Sequence, residues 1–518
     1  MLIVTAAQMR ELDRLTIQKH ATPSLTLMER AGEGIAAAIL QRFGRAAKKG
    51  VLIVAGKGNN GGDGFVVARL LKKKRIPCEV ALLARRDELT PDAAHNLRAW
   101  VKLKGKISEI DANKLDLLSQ KIAKHGLLVD AILGTGTKNL VAGLFADAIT
   151  LMNVSGLPIV AVDIPSGMDT DKGHQLGVAI QAEMTVALGY PKLGEVIHPG
   201  LTYVGELVVA DIGIDSRAVV EVAPPTELLD LETIRWLVPR RQQDSHKGTY
   251  GHLLVVAGAR GKTGAAILSC RAAMRSGAGL VTLASPRALN TIFASSLVEV
   301  MTEPLGDDSS EQLEMLTDAD WRRLVERKNA LLFGPGIGVS EATQSATRWL
   351  LRNLDVPWVI DADGLNNLAL ELDRLRHAKT PPILTPHPGE MARLIGKDSA
   401  AVNADRIEAA RSFALAHRCH LVLKGARTVI ATADGKVFIN PTGNPGMASG
   451  GMGDVLAGIL AALLGQGLSA EDAMKLGVYL HGYIGDRVAE SKGPIGLIAS
   501  DIIEGLPRSL AELAAINS

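Results

Sequence analysis

The chain has 518 residues, of which 47% are hydrophobic and 22% are charged, and its formal net charge is +2. At roughly 100 to 200 residues per domain this length predicts two to four domains. The near-neutral charge, without a long basic run, argues against nucleic acid or a membrane as a partner. The three cysteines Cys78, Cys270 and Cys419 form no metal-type pair, and no signal-like segment precedes the first charges, so we expect a cytoplasmic protein.

In the first half, short apolar strands alternate with amphipathic helices. Residues 1 to 43 have helical spacing and are expected to pack as helices against the sheet that follows. Strands are predicted at residues 51–55, 79–84, 127–133 and 157–164, with a helix from Phe65. This alternation predicts an α/β domain with a parallel sheet covered by helices on both faces.

The second half begins the same alternation again after a break. Prolines near residues 223–226 and a polar stretch at 239–248 indicate the linker region. Strands are predicted at residues 252–258, 279–284, 329–336, 357–364, 381–390 and 420–425, followed by helices at 450–464 and 470–491. No repeat of fixed period is present, so the chain is interpreted as two different α/β domains.

A glycine-rich loop, GKGNNGGDG at residues 56–64, joins the first strand to a helix. Free N–H groups at a helix N-terminus favour an anion, although such a loop is by itself often only a tight turn. This loop also carries the side chains of Asn59, Asn60 and Asp63. Two carboxamides and a carboxylate are able to hold a cation or a ribose, which favours a binding site.

Two further strand ends carry polar side chains. Asp130 lies in VDAILGTGTK, and Asp163 and Ser166 lie in VDIPSGMDTDKG. The carboxyl ends of strands in an open parallel sheet form the ligand crevice, so these residues are expected to converge with the glycine-rich loop. One carboxylate could merely cap a helix, but three convergent polar loops favour a site.

In the second half, the glycine-rich segment NPTGNPGMASGGMGD runs directly into an apolar helix. Gly450, Gly451 and Gly453 allow backbone N–H groups to approach phosphate oxygens, and Asp454 is placed as a base for a substrate hydroxyl. Asp454 could instead only complement the helix dipole. Further glycine-rich, acidic or basic loops end strands at residues 257–269, 333–338, 360–366, 385–394 and 423–428, which indicates a shared crevice.

The motifs GKGNNGGDG, VDAILGTG and VDIPSGMD together resemble the NAD(P)H-hydrate epimerase family over about residues 1–215. The resemblance implies a Rossmann-like three-layer domain at residues 1–220 and a potassium ion bound by Asn60, Asp130 and Ser166. It implies a hydrate site formed by Asn59, Asn60, Gly61, Gly62, Asp63, Gly134, Thr135, Gly136, Thr137, Lys138, Asn139, Leu140 and Asp163. We take Asp163 as the candidate catalytic residue, which assists inversion of the hydroxyl-bearing carbon by proton transfer.

The ordered set TGAA, GPGIG, DADGLN, TPHPGE, KGART and GMASGGMGD resembles the ADP-dependent NAD(P)H-hydrate dehydratase family over about residues 227–510. The resemblance implies a ribokinase-like α/β domain at residues 227–518. It implies an ADP site formed by Lys424, Gly425, Ala426, Arg427, Thr428 and Gly453, and a hydrate site formed by Ala265, Gly336, His387 and Asp454. Asp454 would act as the catalytic base, and a magnesium ion is expected with the nucleotide. Lys262 and Met452 depart from the family's pattern, which leaves the shape of both pockets and the preference for ADP over ATP open.

Together, the two resemblances predict a bifunctional enzyme that repairs the hydrates NADHX and NADPHX. An isomerase would interconvert the R and S hydrates, and a lyase would dehydrate the S hydrate at the expense of ADP. The resemblance also implies a homo-oligomer. Two alternatives remain open, namely a ribokinase-like small-molecule kinase that uses ATP and an N-terminal half that is a non-catalytic nucleotide-binding module.

Overall fold

A computed structural model describes residues 1–515, which form two compact α/β units. The first unit comprises Leu2–Pro224, and the second begins at Pro225. No helix within residues 1–515 combines the length and the apolar character that a membrane crossing requires.

The first unit is built on a parallel sheet. The strands of this sheet are β2 Val51–Ala55, β3 Cys78–Leu82, β4 Lys106–Glu109, β5 Leu127–Ala131, β6 Ile159–Val162, β7 Met184–Leu188 and β8 Glu206–Ala210, and the short strand β1 Leu2–Ile3 is not part of it. The helices of this unit are α1 Ala6–Arg14, α2 Ser24–Ala47, α3 Asn59–Lys73, α4 Pro91–Lys102, α5 Leu115–Ile122, α6 Leu144–Asn153, α7 Leu193–Val196, α8 Leu201–Val204 and α9 Ser216–Val222.

Seven of these strands pair in the order β4-β3-β2-β5-β6-β7-β8, and every pairing is parallel. The chain therefore starts the sheet in the middle and reverses direction between β2 and β5, which is the Rossmann-like order with its ligand crevice at that switch point. The side chains of β2 alternate between the hydrophobic cores on the two faces of the sheet. Val51 and Ile53 belong to one core, and Leu52 and Val54 belong to the other. The predicted three-layer α/β architecture is confirmed.

The second unit contains a longer sheet. Its strands are β9 Thr226–Leu228, β10 His252–Val256, β11 Leu280–Pro286, β12 Met301–Leu305, β13 Ala330–Phe333, β14 Trp358–Ile360, β15 Ile383–Leu384, β16 His420–Leu423, β17 Val429–Ala431 and β18 Val437–Ile439. Its helices are α10 Leu231–Arg235, α11 Thr263–Arg275, α12 Asn290–Ser296, α13 Asp318–Val325, α14 Glu341–Asn353, α15 Asp363–Leu368, α16 Leu372–Leu375, α17 Pro388–Ile395, α18 Ser399–Ala404, α19 Arg406–His417, α20 Met452–Gly465, α21 Ala470–Lys492 and α22 Ala499–Ala515.

Strand β10 lies beside β11 and β12 on one side and beside β13 to β16 on the other, with all of these pairings parallel. Strands β17 and β18 extend the sheet as an antiparallel pair, and β9 lies parallel to β18. The switch point therefore falls between β10 and β13. The predicted α/β class is confirmed for this unit as well.

One helix boundary differs from the sequence prediction. Helix α3 begins at Asn59 rather than at Phe65, so the NNGGD motif forms its first turn instead of a preceding loop. Close packing explains the glycines, because a Cβ on Gly61 would lie 2.1 Å from the carbonyl oxygen of Gly56, and one on Gly64 would lie 2.7 Å from Cβ of Ala131. The glycines allow the helix to start directly against the strand ends.

Candidate active sites

A cavity of about 590 Å³ lies at the switch point of the first unit. The predicted residues that line it are Asn59, Asn60, Asp63, Gly134, Thr135, Gly136, Thr137 and Asp163. Five predicted residues do not line it. Gly61 and Gly62 face neighbouring chain atoms instead, and Lys138, Asn139 and Leu140 are exposed in the loop beyond Thr137.

The three residues predicted to bind a cation are held together around one carbonyl group. Nδ2 of Asn60 donates to the carbonyl oxygen of Leu133 at 2.9 Å, and Oγ of Ser166 lies 3.1 Å from the same oxygen. Oγ of Ser166 also donates to Oδ1 of Asp130 at 2.6 Å, while the backbone N–H of Ser166 donates to Oδ2 at 2.8 Å. Asp130 is fully buried, and burial raises its pKa to about 6 against the lowering effect of the Ser166 hydrogen bonds.

Asp163 lines the same cavity with a strained backbone. Its φ of 65° lies in the left-handed region, which non-glycine residues rarely adopt and which recurs at functional sites. Its Oδ1 accepts hydrogen bonds from the backbone N–H of Leu188 at 3.0 Å and from Nζ of Lys192. Lys192 is fully buried, so this ion pair is enclosed on the protein side.

Several other carboxyl groups surround this ion pair. Burial and the charge of Asp163 raise the pKa of Asp13 to about 6, and the same two causes raise the pKa of Asp63 well above its ordinary value. Burial also raises the pKa of Glu195 to about 8, although Lys192 opposes the shift. Asp13 and Asp63, two carboxyl groups with raised pKa, therefore line the same cavity as Asp163, an arrangement that is typical of sites with acid and base roles.

In the second unit, Lys424 lies at the carboxyl end of β16 and faces two acidic residues. Its Nζ donates to Oδ1 of Asp361 at 2.9 Å and lies 3.7 Å from Oε2 of Glu390. Burial lowers the pKa of Lys424, but the negative charges of Asp361 and Glu390 raise it by more, so the net pKa is above its ordinary value. A Cβ on Gly453 would lie 3.2 Å from the same Nζ, so the lysine also borders the first turn of α20.

Asp454 follows Gly453 in that first turn. Burial and the nearby charge of Asp361 raise its pKa to about 7, while Lys424 has the opposite effect. Its backbone carbonyl accepts a hydrogen bond from Oγ of Ser269 at 3.0 Å, which ties α20 to α11. A carboxyl group with this pKa is half ionised near neutral pH, which suits a general base.

The other residues of the predicted ADP site form a tight turn after Lys424. Arg406 holds this turn, because its guanidinium donates to the carbonyl oxygens of Ala426, Leu423 and Lys424. Oγ1 of Thr428 donates to the carbonyl oxygen of Gly425 at 3.0 Å. Gly425 and Arg427 have φ of 140° and 55°, so the turn depends on left-handed backbone at both positions.

Of the other predicted hydrate residues of this unit, Ala265 lies in the first turn of α11, whereas Gly336 and His387 lie in loops after β13 and β15. Gly336, at φ 65°, approaches α11, since a Cβ there would lie 2.9 Å from Cβ of Lys262 and 3.4 Å from Cβ of Ala265. His387 caps α17, and its Nδ1 accepts from the backbone N–H of Gly389 at 3.0 Å. Lys262 pairs with Asp363 at 2.8 Å, so this departure from the family pattern places a half-exposed cation beside Gly336.

Sequence reasoning missed several polar residues of the two sites. Asp361 begins the motif DADGLN and Glu390 ends the motif TPHPGE, so the acidic residues of these motifs could have identified both as site residues. Asp13, Lys192 and Glu195 belong to no glycine-rich loop, and only the fold brings them to Asp163. A lone lysine in a sequence is ordinarily exposed, so Lys192 gave no signal of its burial.

Comparisons with known proteins cover both halves of the chain. A family profile described as NAD(P)H-hydrate dehydratase matches residues 253–508, and one described as YjeF-related protein N-terminus matches residues 24–194. The bifunctional NAD(P)H-hydrate repair enzyme of Moorella thermoacetica is 44% identical over 523 residues, which cover 99% of this chain and 97% of that protein. Its namesake from Escherichia coli K12 is 37% identical over 484 residues, which cover 93% and 88% of the two chains.

Among solved structures, the ADP/ATP-dependent NAD(P)H-hydrate dehydratase from Bacillus subtilis, co-crystallised with ATP and Mg²⁺, is 31% identical with a TM-score of 0.48. The match covers 55% of this chain and 97% of that one. The full-length relatives confirm the resemblance that the motifs of both halves indicated. The chain therefore belongs to the family of bifunctional NAD(P)H-hydrate repair enzymes.

Proposed function

We propose that this chain returns NADHX and NADPHX to NADH and NADPH through two activities. The domain at residues 1–220 interconverts the R and S hydrates, and the domain at residues 227–518 dehydrates the S hydrate at the expense of ADP. The observation that carries the proposal is Asp454, a partly buried carboxyl group with a pKa of about 7 in the first turn of α20, where Lys424 also borders the helix start.

Dehydration requires a better leaving group than hydroxide. Asp454 takes the proton of the substrate hydroxyl, and the freed oxygen attacks the terminal phosphorus of ADP. The bond between this phosphorus and the bridging oxygen breaks, and AMP leaves. The phosphate bound to the substrate carbon then departs with the C–O electron pair, and loss of a proton from the adjacent carbon forms the double bond. The products are reduced cofactor, AMP and phosphate.

Lys424, Gly425, Ala426, Arg427, Thr428 and Gly453 are assigned to the nucleotide. The ammonium of Lys424 and the free N–H groups at the start of α20 supply positive charge for phosphate oxygens. Magnesium bound with ADP would supply further neutralisation of the transferred phosphoryl group. Ala265, Gly336 and His387 are assigned to the hydrate, because they follow the carboxyl ends of the parallel strands β10, β13 and β15, where ligands bind in an open α/β sheet.

Epimerisation is assigned to Asp163. Its carboxylate accepts the hydroxyl proton of the hydrate while the C–O bond becomes a carbonyl and the electron pair of the ring C–N bond returns to nitrogen. Ring closure on the other face of that carbonyl, with return of the proton, gives the other epimer. Loss and return of hydroxide is the alternative route, and it uses the same carboxyl group.

Potassium is assigned to Asn60, Asp130 and Ser166. Asn60 and Ser166 both contact the carbonyl oxygen of Leu133, and Ser166 links them to Asp130. The carboxamide oxygen, the hydroxyl group and the carboxylate of these residues are oxygen ligands that fit a hard cation. Asp130 is buried, and its three hydrogen-bond donors are the neutral groups of Ile132 and Ser166. A bound cation would offset the cost of burying that charge and would fix the wall of the hydrate cavity.

The decisive experiment measures recovery of reduced-nicotinamide absorbance from a mixture of both NADPHX epimers. Wild type is assayed with ADP, with ATP and without nucleotide, beside Asp454→Asn and the control Asp472→Asn. Asp472 also lies in the first turn of a helix, α21, but pairs with Lys475 at the surface. Complete ADP-dependent recovery that only Asp454→Asn abolishes supports the proposal, and equal loss in both variants would reduce Asp454 to a helix-dipole role.

The same assay decides between the proposal and its alternatives. No recovery with either nucleotide would reject hydrate repair and favour a small-molecule kinase, for which alcohols are then screened with ATP. Recovery of only one epimer would favour a non-catalytic N-terminal module. A homo-oligomer in the cytoplasm is the remaining expectation from the family, and light scattering of the purified protein together with cell fractionation tests it.

A further inference from the structure

The lysine behind the first-unit cavity is buried to an unusual degree. Lys192 has no exposed surface, and its Nζ contacts Oδ1 of Asp163 and the carbonyl oxygen of Leu188, the latter at 3.3 Å. The backbone N–H of Leu188 donates to the same Oδ1 at 3.0 Å. An ammonium is buried only with an anion beside it, and here that anion is a cavity-lining carboxylate.

The backbone that carries Lys192 is fixed from two sides. The N–H of Val4 donates to the carbonyl oxygen of Pro191, and the N–H of Leu193 donates to that of Val4, both at 3.0 Å. The N–H of Lys192 itself donates to Oε2 of Glu195 at 2.6 Å. These bonds fix the backbone from which the side chain of Lys192 extends toward Asp163.

The charges around Asp163 are mostly negative. Asp13 on α1 and Asp63 on α3 share the cavity wall with it, and Glu195 on α7 lies on the far side of Lys192. The remaining charged residues of the cavity wall are Arg10, Lys57 and Asp92. Neighbouring carboxylates repel one another, and Lys192 supplies a positive charge in hydrogen-bond contact with Asp163.

We propose that Lys192 is a positioning residue for epimerisation, which holds its positive charge against the carboxylate of Asp163 and keeps that carboxylate aimed into the cavity. The inference rests on the proposed epimerase function of the first unit. Lys192 does not reach the substrate itself, because Asp163 lies between its ammonium and the cavity. Its contribution is to the charge and orientation of the group that takes the substrate proton.

The test compares full-length Lys192→Met and Lys192→Arg with wild type and with Lys121→Met. Lys121 forms an ion pair with Glu79 that is nearly as enclosed, with side chains 13% and 18% exposed, but neither residue lines the cavity. Interconversion of the separated epimers is followed between pH 5 and 9 without nucleotide, so the dehydratase is silent. Dehydration of the S hydrate with ADP checks in the same samples that the second domain is intact.

In Lys192→Met we expect the turnover number of epimerisation to fall at least about 100-fold, the scale of a lost acid–base group, with little change in KM. The acid limb of its pH profile should move to higher pH, because the cation that favours the ionised carboxyl is gone. Lys192→Arg should restore part of the turnover number and reverse part of the shift of the acid limb, and Lys121→Met should match wild type in both. A Lys192→Met enzyme with wild-type turnover and an unmoved acid limb would overturn the inference.

An infrared measurement separates this inference from the proposed function. The carbonyl stretch of a protonated Asp163 is identified at acid pH as the band that Asp163→Asn lacks. At pH 7 we expect this band in Lys192→Met and not in wild type. If wild type fails to interconvert the epimers, the proposed function is wrong, but the infrared band still reports whether Lys192 controls the carboxyl group of Asp163. Absence of the band from Lys192→Met at pH 7 would overturn the role of Lys192.

Discussion

Nζ of Lys424 donates a hydrogen bond to Oδ1 of Asp361 at 2.9 Å, and the pair is nearly closed to solvent. Oγ1 of Thr385 donates to the same Oδ1 at 2.7 Å. Asp361 therefore has two donors that hold its carboxylate in place, and it fixes the lysine beside the first turn of α20. The ammonium, rather than the glycine-rich turn alone, defines where a phosphate group would meet Asp454.

Replacing Lys424 by Met should impair ADP use more than folding. In the proposed nucleotide site the lysine would supply positive charge for phosphate, and it lowers the pKa of Asp454. Its loss should therefore raise KM for ADP and move the acid limb of dehydration to higher pH. Steady-state kinetics with varied ADP at several pH values measures both. An unchanged KM for ADP would remove Lys424 from the nucleotide site.

Adding one methyl group at Gly453 should also raise the KM for ADP. The new Cβ would lie 3.2 Å from Nζ of Lys424, so the lysine must move from its place at the helix start. We expect Gly453→Ala to raise KM for ADP by about tenfold, equivalent to about 1.4 kcal/mol. Gly465→Ala in the last turn of α20 is the control, since its Cβ would make ordinary contact at 3.7 Å with Ala330; equal effects would contradict the assignment.

The dehydration rate should rise with pH through about 7. Asp454 acts as a base only when ionised, and burial together with Asp361 raises its pKa to about 7. The expected profile therefore has its acid limb near pH 7. A limb near pH 4, the range of an unperturbed aspartate, would exclude Asp454 as the titrating base.

The same shift predicts how Asp454→Asn changes stability. Because the pKa of Asp454 is raised to about 7 in the folded chain, the folded state holds this proton more tightly than the unfolded state does, and that stabilisation is lost progressively as pH rises from about 4, the ordinary pKa of an aspartate, to about 7. Asparagine resembles the protonated form at every pH. Asp454→Asn should therefore raise the melting temperature of the second domain most at pH 8.5, less at pH 5 and little at about pH 4, as calorimetry can measure.

Much of this architecture was predictable because strands and glycine-rich loops leave local patterns. The alternation of short apolar runs and helices gave the class of both units, and the rule that ligands bind at the carboxyl ends of parallel strands placed Asp130 and Asp163 together. Strands such as Lys106–Glu109 and Met301–Leu305, which have exposed or partly buried residues, were missed. Edge strands of this kind lack the apolar run that identifies a buried strand.

The partners of the candidate catalytic groups were not predictable. Asp13 lies about 150 residues before Asp163 in the chain, and Lys192 follows a tyrosine and a proline without a recognisable motif. Their roles come from tertiary packing, which buries a lysine that a sequence pattern treats as exposed. The start of α3 was misplaced for a related reason, since three glycines normally disfavour a helix and only the close approach to the strand ends explains them.

That close approach gives a prediction for the first unit. A Cβ on Gly61 would lie 2.1 Å from the carbonyl oxygen of Gly56 and 3.0 Å from its carbonyl carbon, so α3 must shift away from the end of β2. Overpacking of this kind costs about 1–3 kcal/mol or more. Gly61→Ala should therefore lower the melting temperature of the first unit and abolish epimer interconversion, while ADP-dependent dehydration of the S hydrate continues.

Gly44→Ala is the matched control for that variant. Gly44 lies in α2, and no atom outside its own helix lies within 4 Å of a Cβ placed there, so alanine should be neutral or stabilise the helix by about 0.5–1 kcal/mol. Calorimetry and the two separate activity assays on the same preparations measure both outcomes. If Gly61→Ala melts and interconverts epimers like Gly44→Ala, the first turn of α3 does not press against Gly56, and the shape of the hydrate cavity does not depend on that contact.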